Sequence, residues 1–245
     1  EATNPAVQGV LINIPDVSTI PFFTTVPYNA VPLDQATADQ LNAAYAAYNA
    51  GLEAAVAGSV ITEEEAAQRM ISFAEGQNAV VILDEDLTPI GAPSMRQATA
   101  SDLVLLPASS KIGTEATPGD PTTVWGLGMP LEDADVLIPS EIQAIDTART
   151  AYNDAIKSLA DASENRLYLD AAALMTELSE SGINYGNGSV FADFATGGAF
   201  SLDGVHLTAR GYAVIANAVV DAINSGFNAN VYKVDPATYP TVFLK

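Results

Sequence analysis

From Ser140 onward, helical and strand patterns alternate along the chain, and that alternation constrains the fold more than any other feature. Ser140 with Gln143 reads as a capping box, and Ile142, Ile145, Tyr152, Ile156 and Leu159 recur at helical spacing, which predicts a buried stripe. Arg166-Leu167-Tyr168-Leu169-Asp170 reads as a parallel strand. Thr208 stands where it can cap a last helix with the stripe Tyr212, Ile215, Ala216, Val219 and Ile223, ending at Gly226. Near the start, Val10-Leu11-Ile12-Asn13-Ile14 is a short apolar run closed by Pro15-Asp16. It reads as a central parallel strand, with Asn13 and Asp16 at the edge where open α/β sheets hold ligands. Strand, helix, strand, helix predicts an α/β fold.

Residues 18 to 139 break this alternation. Two helices are expected there, one with Leu41, Ala44, Tyr45, Tyr48, Leu52 and Val56 at helical spacing, the other opened by a Thr62–Glu65 capping box. Val80 to Leu83 and Leu103 to Leu106 look like strands of a small hairpin, and 107 to 139 is turn-rich around the only tryptophan, Trp125. The expected organisation is a core strand in residues 1–17, an insertion lobe in 18–139 lying over the ligand edge, a carboxyl-terminal core in 140–226 and an extended tail in 227–245. Long insertions in compact domains usually carry function or form lids.

Composition narrows the partners. Thirty acidic residues against nine basic ones give a net charge of -21, which repels phosphate backbones and anionic lipid, so no nucleic-acid partner is expected. There is no cysteine, which excludes disulfides, thiolate metal sites and cysteine nucleophiles. No apolar run approaches the roughly 20 residues of a membrane span, and no signal peptide is present. The chain starts at Glu1, a few residues before its first core strand, so a further segment is expected upstream.

The only histidine lies in Asp203-Gly204-Val205-His206-Leu207-Thr208, just before the last helix. A single imidazole limits where proton transfer near neutral pH can occur. The short Gly204-Val205 link lets Asp203 reach the ring, so the pair is either a catalytic acid–base unit or a loop histidine held for structure. Neither Ser201 nor Ser189 occupies a G-x-S-x-G elbow. Asp84-x-Asp86-x-Thr88 suggests a calcium loop only faintly, because Pro89 and Met95 stand where glycine and glutamate are needed; a solvated hairpin tip is expected. The glycine-rich stretch Gly182 to Gly198 lacks a Lys-Ser or Lys-Thr phosphate cradle. Phe22, Phe23, Tyr28, Tyr45 and Tyr48 either pack the core or line an acyl pocket.

Leu202-Asp203-Gly204-Val205-His206-Leu207-Thr208 followed by Gly211-Tyr212 resembles the last block of GDSL-type (SGNH) esterases, D-x-x-H-x-[ST]-x-x-G-[YH]. Gly9 to Val17 is similar to the core strand before the insertion in lipoprotein-like Bacteroidetes members. The resemblance implies a three-layer α/β/α hydrolase with a parallel sheet. It also implies hydrolysis of a carboxylic or acetyl ester through an acyl-serine, with His206 as base and acid and Asp203 orienting it. No cofactor or metal is implied, and an exported, periplasmic or envelope location is. The family's G-D-S block, the glycine of its second block and its G-x-N-D block are absent from these residues. They are expected on an amino-terminal segment with which this chain associates. The alternatives are a non-catalytic glycan- or lipid-binding relative, or a structural portion that folds only against that segment.

Overall fold

In the computed structural model, residues 7–242 are described, so the ends of the expected core segment 1–17 and tail 227–245 lie outside them. The chain runs through β1 (Gly9–Ile12), α1 (Pro21–Thr24), β2 (Val31–Leu33), α2 (Gln35–Ala57), α3 (Glu63–Arg69), β3 (Gly76–Asn78), β4 (Val81–Leu83), β5 (Met95–Gln97) and β6 (Leu103–Val104). It continues through β7 (Val136–Leu137), α4 (Pro139–Asp161), β8 (Arg166–Leu169), α5 (Ala171–Glu180), β9 (Ile183–Asn184), β10 (Ser189–Val190) and α6 (Ala209–Phe227). The fold is mixed α/β, with several short two-stranded sheets. Two compact units divide it: Glu1–Thr25 with Gln143–Lys245, and Val26–Ile142.

In the first unit β1 and β8 pair in parallel, from Gly9 opposite Arg166 to Ile12 opposite Leu169. Gly9 N donates to Asn165 O and Asn13 N to Leu169 O, so the odd-numbered backbone groups of β1 face β8. Those of Val10, Ile12 and Ile14 face away. The Asn153 side chain takes up both groups of Ile14, at 2.8 Å each. The amides of Val10 and Ile12 meet no partner among the described residues. Among the described residues β1 is therefore an edge where its apolar run predicts a central strand, and Ile12 and Ile14 are exposed.

The helices of this unit correct the sequence reading in the same sense. α4 begins at Pro139, and the Glu141 carboxylate accepts from Ile138 N, so Ser140 is inside the helix and caps nothing. Tyr152 and Leu159 of its expected buried stripe are exposed; only Ala160 is fully buried. Along α6 the buried residues are Gly211, Ala213 and Val214, while Tyr212 points outward. Gly211 is required there: a Cβ would stand 2.4 Å from Ala199 O. The buried cluster joins Ile20, Leu178, Val190, Ala199, Phe200 and Val214. Asn217 and Asn224, two turns apart on α6, each bond both backbone groups of a tail residue, Val234 and Val231. This holds the tail along the helix without a strand.

The second unit has its own core, centred on Ile71, Val80, Val81, Ile82, Val104 and Leu131. α2 is capped by Asp34, which accepts from Thr37 N, and buries Ala38, Tyr45 and Leu52 at seven-residue spacing. Thr62 caps α3 by accepting from Glu65 N, but the Glu65 carboxylate turns to Thr88 and Arg69 instead of closing a box. Val81–Leu83 pairs antiparallel with β5 and Leu103–Val104 antiparallel with β7. Asp84 is not a solvated tip: it is buried, because Arg96 Nε reaches it at 2.5 Å. Arg96 also forks onto both oxygens of Asp102 at 2.7 Å.

Candidate functional site

The segment Ser201 to His206 folds as a tight loop between Phe200 and Leu207, which face one another as an antiparallel bridge. Ser201 N donates to His206 O at 2.8 Å, and Thr208 N to Ala199 O at 2.8 Å, which closes the neck. Gly204 turns the chain at φ +71°, a conformation that favours glycine. Thr208 Oγ1 then accepts from Gly211 N and starts α6. Phe22 N donates to Gly204 O, tying the loop to the segment that leaves the carboxyl end of β1.

Inside the loop Asp203 is the hub. Its Oδ1 accepts from Val205 N and His206 N at 2.9 Å, and from Ser201 Oγ at 2.6 Å. Its Oδ2 meets His206 Nδ1 at 2.7 Å. Ser201, then the imidazole, then the two amides hold the Asp203 carboxyl well below the usual carboxylate range, so it is ionised throughout the neutral region. An ionised carboxylate accepts only, so the neutral ring carries its proton on Nδ1. Nε2 is left as the acceptor. Among the described residues Nε2 meets no hydrogen-bond partner, and the His206 side chain is 70 % exposed.

The loop thus brings Asp203 and His206 together, but it does not bring a serine to Nε2. Ser201 lies on the carboxylate, and Ser189 Oγ donates to Asn184. No catalytic triad is assembled among the described residues. At the carboxyl ends of the parallel pair, Asn13 is buried and donates to Tyr168 Oη and Asp170 Oδ1, while its own Oδ1 accepts from Ala172 N. Asn13 therefore joins β1 to the start of α5. Asp16 accepts from Ser18 N and Oγ.

Sequence reasoning missed how Asp203 is held. The signal was present in Asp-Gly-x: aspartate side chains accept from amides two and three residues on, and a following glycine permits the turn. The sequence also hid a convergence of Glu85, Asp133 and Glu141, whose carboxylate oxygens lie within 4.8 Å of one another. These are not the residues of the Asp84–Thr88 pattern, and two of the three are exposed in a strongly acidic chain. Among the described residues, no helix is long and apolar enough to cross a membrane. Comparison with family models, curated proteins and solved structures returned no match to this chain.

Proposed function

We propose that Asp203 and His206 form the acid–base half of a serine-type ester hydrolase. The carrying observation is the one-sided occupation of the imidazole: Nδ1 is fixed by an ionised carboxylate, and Nε2 is open. That is the tautomer a serine hydroxyl needs in its base. In the reaction, a serine Oγ attacks the ester carbonyl and its proton passes to His206 Nε2. The proton is then given to the departing alkoxide, which leaves an acyl-serine. Water hydrolyses the acyl-serine by the same route, with His206 as base and then acid. Asp203 keeps the ring oriented and balances the imidazolium. No step calls for a cofactor or metal.

The nucleophile and oxyanion donors belong, in this reading, to a segment outside residues 1–245, which extends the β1–β8 pair into one parallel sheet covered by helices on both faces. Three observations support an added neighbour. Among the described residues Val10 and Ile12 have free amides on an edge, two-stranded parallel sheets are seldom left exposed, and Ile12, Ile14, Tyr152, Leu159 and Tyr212 are apolar and exposed. An exported or envelope location belongs to the same reading.

The test is hydrolysis of short-chain aryl esters by the complete protein, with its own upstream segment. Activity should fall at least about 10²-fold in His206→Ala, the lower end of what a general base contributes. A fluorophosphonate should label a serine outside residues 1–245. Full activity in His206→Ala overturns the assignment. A complete protein that hydrolyses no ester, yet retains a glycan or lipid, supports the non-catalytic alternative.

A further inference from the structure

The second unit carries a cleft that the ester-hydrolase reading does not use. It measures about 630 Å³ and is bounded by the first half of α2, the start of β5 and the loop from Pro121 to Pro130. Leu41, Ala44, Tyr45, Met95, Leu127 and Met129 provide its apolar surface. Thr37, Gln40 and Thr122 provide hydroxyl and amide groups, and no acidic or basic side chain lines it. In a chain with 30 acids and nine bases, an uncharged lining is a selective feature. Its size falls within the roughly 300–1,000 Å³ of small-molecule sites.

The walls are pinned from within the unit. Tyr45 Oη donates to Leu127 O at 2.5 Å and Tyr48 Oη to Met95 O at 2.8 Å, so two phenols of α2 hold the loop and β5 in place. Burial pushes the Tyr45 hydroxyl up to about 12, which keeps it neutral. The loop closes on itself at Gly128, where a Cβ would fall 2.0 Å from Thr122 O. Two methionines give the lining a soft surface that adapts to irregular apolar shapes. Arg96 follows Met95 but is buried on Asp84 and Asp102, and the accessible charges that flank the cleft along the chain are negative: Asp39 precedes Gln40, and Asp120, kept ionised by its bonds from Thr122, precedes Pro121. They disfavour a carboxylate or phosphate headgroup.

We propose that the Val26–Ile142 unit binds an uncharged, alkyl-rich small molecule in this cleft. The proposal is independent of the Asp203–His206 reading, because its test reads binding alone. Residues 1–245 are titrated with the neutral fluorophore N-phenyl-1-naphthylamine, and bound dye is then competed with 1-decanol or with decanoate at pH 8. A saturable isotherm is expected, displaced by the alcohol at concentrations at least tenfold below those at which decanoate acts. Ala44 is an exposed helix position, so Ala44→Trp fills the cleft and Ala44→Glu charges it without disturbing the core. Each should weaken dye binding at least tenfold with an unchanged circular dichroism spectrum. Leu159→Ser, an exposed apolar position of the other unit, should leave affinity unchanged. Non-saturable binding, an unaltered affinity in both Ala44 variants, loss of binding in Leu159→Ser, or equal displacement by decanoate overturns the proposal.

Discussion

Replacing Arg96 by methionine should destabilise the Val26–Ile142 unit by about 3–5 kcal/mol at pH 7, the usual cost of breaking a buried ion pair from one side. Arg96, Asp84 and Asp102 have side chains only 2 %, 4 % and 0 % exposed. Methionine removes the only cation among the three. Asp84 retains Asp86 N, and Asp102 retains Thr99 N and Oγ1, but two carboxylates are left buried without a counter-charge. Arg96→Lys retains the charge without the fork that reaches both carboxylates, so its cost should be smaller, about 1–2 kcal/mol. For a domain whose whole stability is about 5–15 kcal/mol, the methionine loss should move a urea midpoint by about 2 M. Trp125, the only tryptophan, lies in this unit with Lys111 Nζ 3.7 Å from its ring centre, so its fluorescence reports this unit's unfolding.

The pH dependence discriminates further. Burial alone pushes the Asp102 carboxyl up, but Arg96 and Thr99 outweigh it and hold it below the ordinary value. A depressed carboxyl contributes stability that is present above its unfolded value, near 3.9, and is lost as pH falls through the folded value. In Arg96→Met the Asp102 carboxyl loses its cation, and burial raises it instead. A raised group contributes stability below the unfolded value and loses it as pH rises. The gap between wild type and variant should therefore narrow from pH 7 to about pH 4. A cost under about 1 kcal/mol at pH 7, or a gap that widens in acid, refutes the reasoning.

Three other outcomes are expected. Thr208→Ala removes the acceptor for Gly211 N and should cost about 1 kcal/mol in thermal or urea unfolding, with Thr208→Ser close to wild type. Gly211→Ala sets a Cβ against Ala199 O and should cost about 1–3 kcal/mol, and it should perturb the His206 resonances because α6 and the Asp203 loop share that contact. Asp203→Asn sets an amide donor against Nδ1, so ¹⁵N shifts of the single imidazole at pH 8 should change from the Nδ1–H to the Nε2–H tautomer; an unchanged tautomer shows that Asp203 does not set it.

Local signals are legible in the sequence and long-range ones only in part. Thr62 and Thr208 cap the helices they precede, because a cap needs only an oxygen within three residues of a free amide. Asp203 and His206 meet for the same reason: the turn that joins them is four residues long. Ser140 fails because Pro139 is equally suited to the first helical position, and Glu141 reaches back to Ile138. Asp84 reads wrongly as a solvated tip because its partner is Arg96, beyond a loop whose composition does not announce the pairing. Nor does local spacing show that the phenols of Tyr45 and Tyr48 would be occupied by carbonyls 82 and 47 residues away, which makes α2 one wall of a cleft.

The burial errors have a direction. Periodicity places Tyr152, Leu159, Tyr212, Ile12 and Ile14 inside, yet all are exposed, and all belong to the unit that carries His206. In the other unit the stripe of α2 is buried at Tyr45 and Leu52 and exposed only at the small Ala44 on the cleft, and Val80, Val81, Ile82 and Val104 are fully enclosed. Periodicity therefore reads burial well where a partner face is present, and fails where α4, α6 and β1 each present an apolar side to nothing described. Large apolar side chains contribute roughly 1.5–3 kcal/mol each when buried, so leaving five of them out forgoes a large fraction of a domain's stability. The same unit holds an imidazole ordered on one nitrogen and, among the described residues, unpartnered on the other. A single added segment that paired with Val10 and Ile12 and covered the apolar faces would supply what the strand and the helices lack. Were it also to carry the nucleophile, the open edge and the open nitrogen would have one cause.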